Sequence, residues 1–268
     1  MGDVAMIVPS LRCLTSSYPN VKITIVSNTL FKPFFKEFEN INFFQTDFKS
    51  RHKGVKGLMR LLRELIKLKP THIADLHSVL RTHFLTFFFK ILLYRVKKLD
   101  KLRLQKQKLF RKINKVLKPL TPTQFRYAEV FCRLGFNIDL TNHHFPFPKT
   151  LSLESKNFTS PIDTRKHRIG IAPIASYVGK IYPLDLMQKV VSYLQQENHV
   201  FLFGNGDYET NILKVWEKAY PNVSGCYKLK SLEKELEIIS NLSVMVSMDS
   251  ANDILQLIII FLLWCCGD

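Results

Sequence analysis

The chain has 268 residues, 46% of them hydrophobic, which is enough to bury a core in one large or two ordinary domains and excludes a disordered chain. The formal net charge of +17 favours an anionic partner: phospholipid headgroups, a phosphorylated glycolipid or nucleic acid. The excess lies over 51–118, where 20 Lys and Arg oppose three acidic residues, whereas the remainder holds 19 of each sign.

The cysteines and the chain ends exclude further classes. Five cysteines form neither a Cys-x-x-Cys pair nor a set with metal-ligand spacing, which indicates reduced thiols in the cytoplasm and no zinc or disulfide framework. The first residues lack a charged segment followed by a long apolar stretch, so we expect no secretory signal. The apolar tail over 258–266 is shorter than the roughly 20 residues that span a bilayer.

The first half of the chain predicts alternating helices and strands, although it begins with a loop and a helix. The pattern predicts a helix in SLRCLTSS, a strand in VKITIVSN, a short helix over 31–38, a strand over 41–44, an amphipathic helix over 57–68 and a strand in THIADLHS. The amphipathic helix has an inward face of Leu58, Leu61, Leu62 and Ile66. A helix in LRTHFLTFFFKILLYR, a basic, partly helical segment over 96–118 and a helix over 125–136 follow.

The second half restarts after a linker that contains Pro146, Pro148 and Pro161 and has no sustained period. Strands are predicted over 168–173, 199–204 and 243–249, and helices over 184–196, 210–219 and 231–241. Such alternation predicts a parallel, doubly wound sheet. We therefore assign an N-terminal domain to 1–140, a linker to 141–166 and a C-terminal domain to 167–268.

The stretch RIGIAPIASYVGKIYP places a loop with one lysine between a buried strand and a helix. Pro183 suits the first turn of that helix. Backbone N–H groups and the positive end of the helix dipole converge in such a loop, and Lys180 adds a full charge. The stretch therefore predicts a phosphate site, and its alternative is an ordinary connection with a solvated lysine.

Two other strand ends carry polar residues. Gly204 and Gly206 form a partial dinucleotide-binding turn, in which Asp207 or Glu209 would accept hydrogen bonds from ribose hydroxyls. The alternative is simple N-capping by Asp207. A later strand ends in Asp249-Ser250, a pair that suits a sugar or a diphosphate, or a helix cap.

Three residues in the first half of the chain are candidates for other roles. Asp3 could hold a carboxylate toward a cleft between domains, where a general base would activate a hydroxyl, or it could cap a helix. Asp75 and His77 end a strand, at the edge where open α/β sheets bind ligands. Their alternative is a pair hydrogen-bonded to the backbone. The histidines form no defensible metal set: His77, His83, His143 and His144.

Six segments in order carry a resemblance to a known family: GDVAMIVPSLRCL, YPNVKITIVS, ADLHSVLRT, IGIAPIASYVGKIYP, FLFGNGDYE and SMDSAN. Together they resemble the ADP-heptose:lipopolysaccharide heptosyltransferase family, glycosyltransferase family 9, over nearly the whole chain up to Asn252. The resemblance implies an α/β GT-B fold, in which two Rossmann-like domains face each other across a cleft. The first domain would bind the acceptor and the second the nucleotide sugar. It also implies inverting transfer from an ADP-sugar in one displacement, without a cofactor or a required metal.

The resemblance further implies site residues and partners. Asp3 would be the general base, and Asp75, His77 and Arg81 are candidates for acceptor binding. Donor binding would involve Ser176, Lys180, Gly204, Glu209, Asp249 and Ser250. The implied acceptor is a phosphorylated lipid-linked saccharide, so we expect a cytoplasmic enzyme, peripheral on the inner membrane, with no nucleic-acid partner. The positive charge falls in the domain that would meet this anionic glycolipid.

Two departures from the family bear on activity. The chain starts where the family has already completed its first strand, and DILQLIIIFLLWCCGD replaces the family pattern after Asn252. We hypothesise a frameshift there, which gene sequencing would disprove if no other frame encodes the family pattern. The alternative is a divergent apolar strand that closes the sheet. With both domains incomplete, we expect little transfer activity from the chain as written.

Two alternative functions belong to other classes. A non-catalytic basic α/β protein would bind nucleic acid or anionic membrane in a salt-dependent manner, without binding ADP. A nicotinamide oxidoreductase is disfavoured, because no complete G-x-G-x-x-G follows an early strand.

Overall fold

The computed structural model describes residues 1–109, 111, 118–141, 146, 148–160, 162–163, 165–175, 177–248 and the backbone of 263–266. The chain divides into two compact units, Met6–His144 and a second unit formed by Met1–Ala5 with Phe145–Asp268. The first five residues therefore group with the C-terminal unit, whereas the sequence prediction assigned them to the N-terminal domain. Within the described residues, no helix has the length and apolar character to cross a membrane.

The described residues of the unit Met6–His144 form two pairs of parallel strands and five α-helices. Its strands are β1 (Ile23–Ser27), β2 (Ile41–Gln45), β3 (His72–Asp75) and β4 (Arg95–Lys98), and its helices are α2 (Val8–Ser17), α3 (Gly54–Lys67), α4 (Leu80–Ile91), α5 (Arg103–Leu109) and α6 (Thr123–Leu134). Helix α1 (Gly2–Ala5) precedes them in the other unit. Strand β1 pairs with β2 with Ile23 opposite Ile41, and β3 pairs with β4 with His72 opposite Arg95. In the described part of the chain, these pairs form two separate sheets.

Helices cover both faces of the β3–β4 pair. Ile73 packs against a cluster that α3 and α4 build from Leu61, Leu65 and Phe89. Its neighbour Ala74 packs instead against α6. Because side chains alternate between the faces of a strand, this pattern places one helix layer on each face. The predicted inward face of α3 is confirmed at Leu58, Leu61 and Leu62.

The strands described in the second unit form one five-stranded parallel sheet. Its elements after α1 are α7 (Leu153–Thr159), β5 (Arg168–Ala172), α8 (Leu184–Leu194), β6 (His199–Leu202), α9 (Asp207–Ala219), β7 (Val223–Gly225), α10 (Leu232–Ile239), β8 (Val244–Met248) and β9 (Leu263–Cys266). The strand order is β7-β6-β5-β8-β9, with every neighbouring pair parallel. This arrangement confirms the predicted parallel sheet of the C-terminal domain.

The central strand β5 is buried on both sides and contains a glycine because its neighbours pack closely. A Cβ atom on Gly170 would lie 2.5 Å from Leu242 Cδ1 and 3.1 Å from Phe203 Cε2. The adjacent Ile171 and Ala172 are fully buried. Strand β5 therefore holds the start of the lysine loop in a fixed position at the carboxyl edge of the sheet.

Several elements differ from the sequence prediction. The short helix expected over 31–38 is a 3₁₀ segment, Thr29–Phe35, which contains Pro33. The basic segment over 96–118 begins within strand β4 before it becomes helical in α5. In the apolar tail, β9 pairs with β8 so that Met245 lies opposite Leu263. This pairing is what the alternative of a closing apolar strand expects, and the frameshift hypothesis stays a prediction about the gene.

Candidate functional site

The carboxyl ends of β5, β6 and β8 lie side by side in the second unit. These strands are neighbours in the sheet and end at Ala172, Leu202 and Met248. The loops that follow parallel strands project from one edge, which is where open α/β sheets bind their ligands. The three stretches singled out in the sequence for donor binding all begin at this edge.

The loop after β5 presents Lys180 at the end of a 3₁₀ turn, Val178–Lys180, and its side chain is exposed. The turn is closed by a 2.9 Å hydrogen bond from the Lys180 N–H to the Tyr177 carbonyl oxygen. Helix α8 then begins at Leu184, with Pro183 as its N-cap residue. The predicted strand, loop, lysine and helix are therefore confirmed as local structure.

A contact joins this loop to the end of β8. The backbone N–H of Tyr182 donates to Met248 Sδ at 3.3 Å, and Met248 is buried. Tyr182 lies two residues after Lys180, and Met248 directly precedes Asp249. Lys180 thus lies close to the point where the chain enters the Asp249-Ser250 pair. Ser176, Asp249 and Ser250 themselves lie outside the described residues.

The loop after β6 is organised by Glu209. The backbone N–H of Asn205 donates to Glu209 Oε2 at 2.7 Å, so this carboxylate holds the turn from within α9. A Cβ atom on Gly204 would lie 3.0 Å from the same oxygen. Gly206 has φ +106°, a conformation that favours glycine. Both glycines therefore serve the geometry of this turn.

The alternative of an N-cap at Asp207 is wrong, because Gly206 occupies the N-cap position and Asp207 is the first helical residue. Asp207 is exposed at the start of α9, where its charge is favourable in the helix dipole. Glu209 is half-buried and already engaged with the loop backbone. Of the two acids suggested for the ribose, Glu209 is the one that the fold positions.

A buried acid, Glu235, lies behind the same loop and was missed in the sequence. Only 6% of Glu235 is exposed, and Asn205 Nδ2 donates to its Oε1 at 3.4 Å. Burial raises the pKa of the Glu235 carboxyl, while the hydrogen bond from Asn205 opposes the shift. The available signal was its spacing, since Glu235 falls on the apolar face of α10 with Leu232, Leu236 and Ile239.

Asp3 is exposed in helix α1, which belongs to the same compact unit as the three loops. The three candidates for acceptor binding lie in the other unit, at the end of β3 and the start of α4. The structure therefore groups Asp3 with Lys180, Gly204 and Glu209 and places Asp75, His77 and Arg81 in a separate unit.

At the end of β3, the candidates for acceptor binding show features of both interpretations, ligand binding and hydrogen bonding to the backbone. Asp75 Oδ1 accepts the backbone N–H groups of His77 at 3.2 Å and Ser78 at 2.8 Å, as the structural alternative expects. Asp75 is only 5% exposed, and among the described residues its second oxygen, Oδ2, has no hydrogen-bond partner. Arg81 lies over the ring of Phe48, with its guanidinium carbon 4.3 Å from the ring centroid.

Clusters of possible metal ligands can be judged only in the part of the chain described. No group of three or more His, Cys, Asp or Glu residues there is placed to hold a metal ion. His143 and His144 lie outside the described residues.

A shallow cavity elsewhere in the second unit is lined by α8 residues, among them Asp185, Lys189 and Tyr193, rather than by the loops at the carboxyl edge.

Solved structures with the same architecture define the fold class. A glycosyl transferase of family 9 from Veillonella parvula DSM 2008 superposes with a TM-score of 0.76 at 19% identity, over 99% of this chain and 78% of that chain. The E. coli heptosyltransferase WaaC with ADP gives 0.67 at 14%, over 100% and 85%. The E. coli ADP-heptose lps heptosyltransferase II gives 0.68 at 17%, over 97% and 80%. The chain therefore has the GT-B fold of nucleotide-sugar glycosyltransferases.

The family follows from the sequence match. The model of glycosyltransferase family 9 (heptosyltransferase) matches residues 58–252, which is well over half of the chain. The chain belongs to this family and is a glycosyltransferase by membership. A comparison with curated proteins found no match. The resemblance stated from six sequence segments is thereby confirmed, as is the predicted fold class.

Proposed function

We propose that the chain uses ADP-heptose, or a related ADP-sugar, as donor and a lipopolysaccharide core saccharide as acceptor. The main supporting observation is the 3.3 Å hydrogen bond from the Tyr182 N–H to Met248 Sδ. It joins the Lys180 loop to the end of β8, directly before Asp249. The fold match to heptosyltransferases with ADP and the family match over 58–252 support this donor class.

In the proposed reaction, an acceptor hydroxyl attacks the anomeric carbon of the donor sugar from the face opposite the diphosphate. The new carbon–oxygen bond forms as the bond to the diphosphate oxygen breaks, and ADP leaves with the electron pair. The hydroxyl proton passes to a carboxylate, which we assign to Asp3. Attack from the opposite face inverts the configuration of the sugar.

The leaving diphosphate accumulates negative charge, and Lys180 supplies an opposing charge beside the N-terminus of α8. Glu209 Oε2 holds the loop after β6, which leaves Oε1 to accept a hydrogen bond from a ribose hydroxyl. The roles of Ser176, Asp249 and Ser250 toward donor phosphate and sugar remain predictions. That the reaction needs no metal also remains a prediction.

The acceptor is assigned to the other unit. No described group satisfies Asp75 Oδ2, but this oxygen is buried, so it would accept from an acceptor hydroxyl only after the turn at His77 and Ser78 moves. His77 and Arg81 would contribute further polar and cationic contacts to a phosphorylated saccharide. The net charge of +17 over 51–118 matches an acceptor that is both phosphorylated and lipid-linked. Such an acceptor would be met at the cytoplasmic face of the inner membrane.

Nucleotide binding tests the proposal without depending on turnover. Lys180→Ala should weaken ADP binding, measured by isothermal titration calorimetry, by at least tenfold, as expected when a charge-assisted hydrogen bond of about 1.5–3 kcal/mol is lost. Lys189→Ala removes the same charge from an exposed position on α8 and should leave the affinity unchanged. Equal effects of both substitutions, or absence of ADP binding with strong salt-dependent binding of DNA, would contradict the proposal and favour the non-catalytic alternative.

A further inference from the structure

Helix α4 carries apolar residues on two opposite faces, and one of these faces is exposed in the described structure. Leu85 and Phe89 are buried in the cluster shared with α3. Leu80, Phe87 and Ile91 are 86%, 59% and 58% exposed. At about 100° per residue, these three positions fall within about 40° of one another on the helix surface, opposite the buried pair. They lie along one side of the outside of α4, with two turns between Leu80 and Phe87.

The line continues into the turn after the helix. Leu92 is 50% exposed and Leu93 is 91% exposed. Leu93 has φ +63°, a conformation that is rare and unfavourable for a leucine. We name the exposed residues Leu80, Phe87, Ile91, Leu92 and Leu93 the α4 ridge. An exposed apolar patch of this kind indicates a surface that contacts a partner or a membrane.

Basic residues flank the ridge on both sides. Arg81 and Lys90 lie about 80–100° to either side of the line on α4, and both are exposed. The next helix, α5, has no buried residue and carries Arg103, Lys106 and Lys108. Between Leu76 and Ala128 the sequence contains a single acidic residue, Asp100.

This combination selects one class of partner. Protein interfaces are depleted in lysine, and nucleic-acid surfaces carry basic residues without a line of exposed leucine and phenylalanine. An apolar line flanked by Lys and Arg is instead the pattern of a helix that lies in the headgroup region of an anionic bilayer. There the apolar side chains enter the acyl boundary, and the cations pair with lipid phosphates.

We infer that the α4 ridge docks the protein on a bilayer of anionic phospholipid. The inference rests on the proposed function in one respect: the proposed acceptor is lipid-linked, which makes a bilayer the relevant partner. The surface itself is defined by exposure and charge within one compact unit. It deepens the proposed function by naming the face of the enzyme that meets the membrane.

Vesicle binding tests the inference. The full chain should co-sediment with phosphatidylglycerol vesicles and much less with phosphatidylcholine vesicles. The double variant Phe87→Ser/Leu93→Asn keeps the net charge, and asparagine tolerates the left-handed backbone at position 93. It should bind phosphatidylglycerol about tenfold or more weakly, since two exposed apolar side chains no longer enter the bilayer. Leu153→Ser, which changes a leucine on α7 that is 76% exposed, should bind as the unmodified chain does.

The outcomes separate this inference from the proposed function. Unchanged vesicle binding by the double variant, with ADP binding intact, would overturn the role of the ridge and leave the donor site standing. Concentration-dependent dimerisation that the double variant abolishes, without vesicle binding, would overturn it in favour of a second copy. Vesicle binding that depends on the ridge in a chain that fails to bind ADP would support the ridge and contradict the donor site. Circular dichroism on each variant checks that the fold is retained.

Discussion

Removal of the Glu209 carboxylate tests whether the loop after β6 is built as the structure shows. Glu209→Ala deletes the acceptor of the 2.7 Å hydrogen bond from the Asn205 N–H. Because Asn205 is exposed, water replaces part of the lost interaction, and the net cost is about 1 kcal/mol. The first turn of α9 also loses one negative charge, which is worth about 0.3–1 kcal/mol at a helix N-terminus.

The matched control is Asp207→Ala, which removes a carboxylate from the same first turn without touching the loop. The difference between the two variants isolates the hydrogen bond to Asn205. Urea denaturation should show Glu209→Ala less stable than Asp207→Ala by about 1 kcal/mol, and calorimetry should show weaker ADP binding for Glu209→Ala alone. Equal losses of stability and equal ADP affinities in the two variants would refute the reasoning.

Two further predictions concern pH. Burial, reinforced by the charges of Lys166 and Arg168, lowers the pKa of His199 to about 4, so its ring carbon signals in NMR should titrate near pH 4 rather than near 6.5. The free energy of unfolding should therefore fall as pH drops from about 6.5 toward about 4, and it should fall less in His199→Gln. A His199 titration near pH 6.5 would contradict this. Burial raises the pKa of Glu235, so its contribution to stability is present below its ordinary pKa and is lost as pH rises above it. Glu235→Gln should gain melting temperature relative to the unmodified chain as pH rises above about 4.5, and a constant difference across that range would contradict the assignment.

The sequence predicted the second unit well because its elements carry strong local signals. The buried run around Ile171, the helix-starting Pro183 and the glycine turn at Gly206 each specify a strand end or a helix start. Parallel strands in a doubly wound sheet then bring the loops that follow them to one edge. The positions of the Lys180 and Glu209 loops were therefore predictable without coordinates.

Elements whose structure depends on distant partners were not predictable in this way. Strand β4 consists of Arg-Val-Lys-Lys and forms because it pairs with β3, although its composition is typical of a solvated segment. Helix α7 lies within the predicted linker; the Ser152 hydroxyl caps it and also donates to Glu237 of α10 at 2.7 Å. Both elements are specified by partners that are remote in sequence.

The site shows the same division. Glu235 is an acidic residue at an apolar-face position of α10, and the packing of that helix shows that it is buried behind Asn205. The alternative of an N-cap at Asp207 is wrong because Gly206, with φ +106°, takes the N-cap position and Asp207 is the first helical residue. Asp75 Oδ2 lacks a hydrogen-bond partner among the described residues because it is buried, which its residue type alone does not indicate.

The measurement that tests the central claim most directly is a map of backbone amide NMR shifts on titration of the isotope-labelled chain with ADP. The account predicts that the perturbed amides cluster at the carboxyl edge of the second sheet, in the loop after Ala172 through Tyr182 and in the turn from Phe203 through Glu209. Perturbations confined to the cavity on α8 around Lys189 and Tyr193, or to the unit Met6–His144, would contradict it.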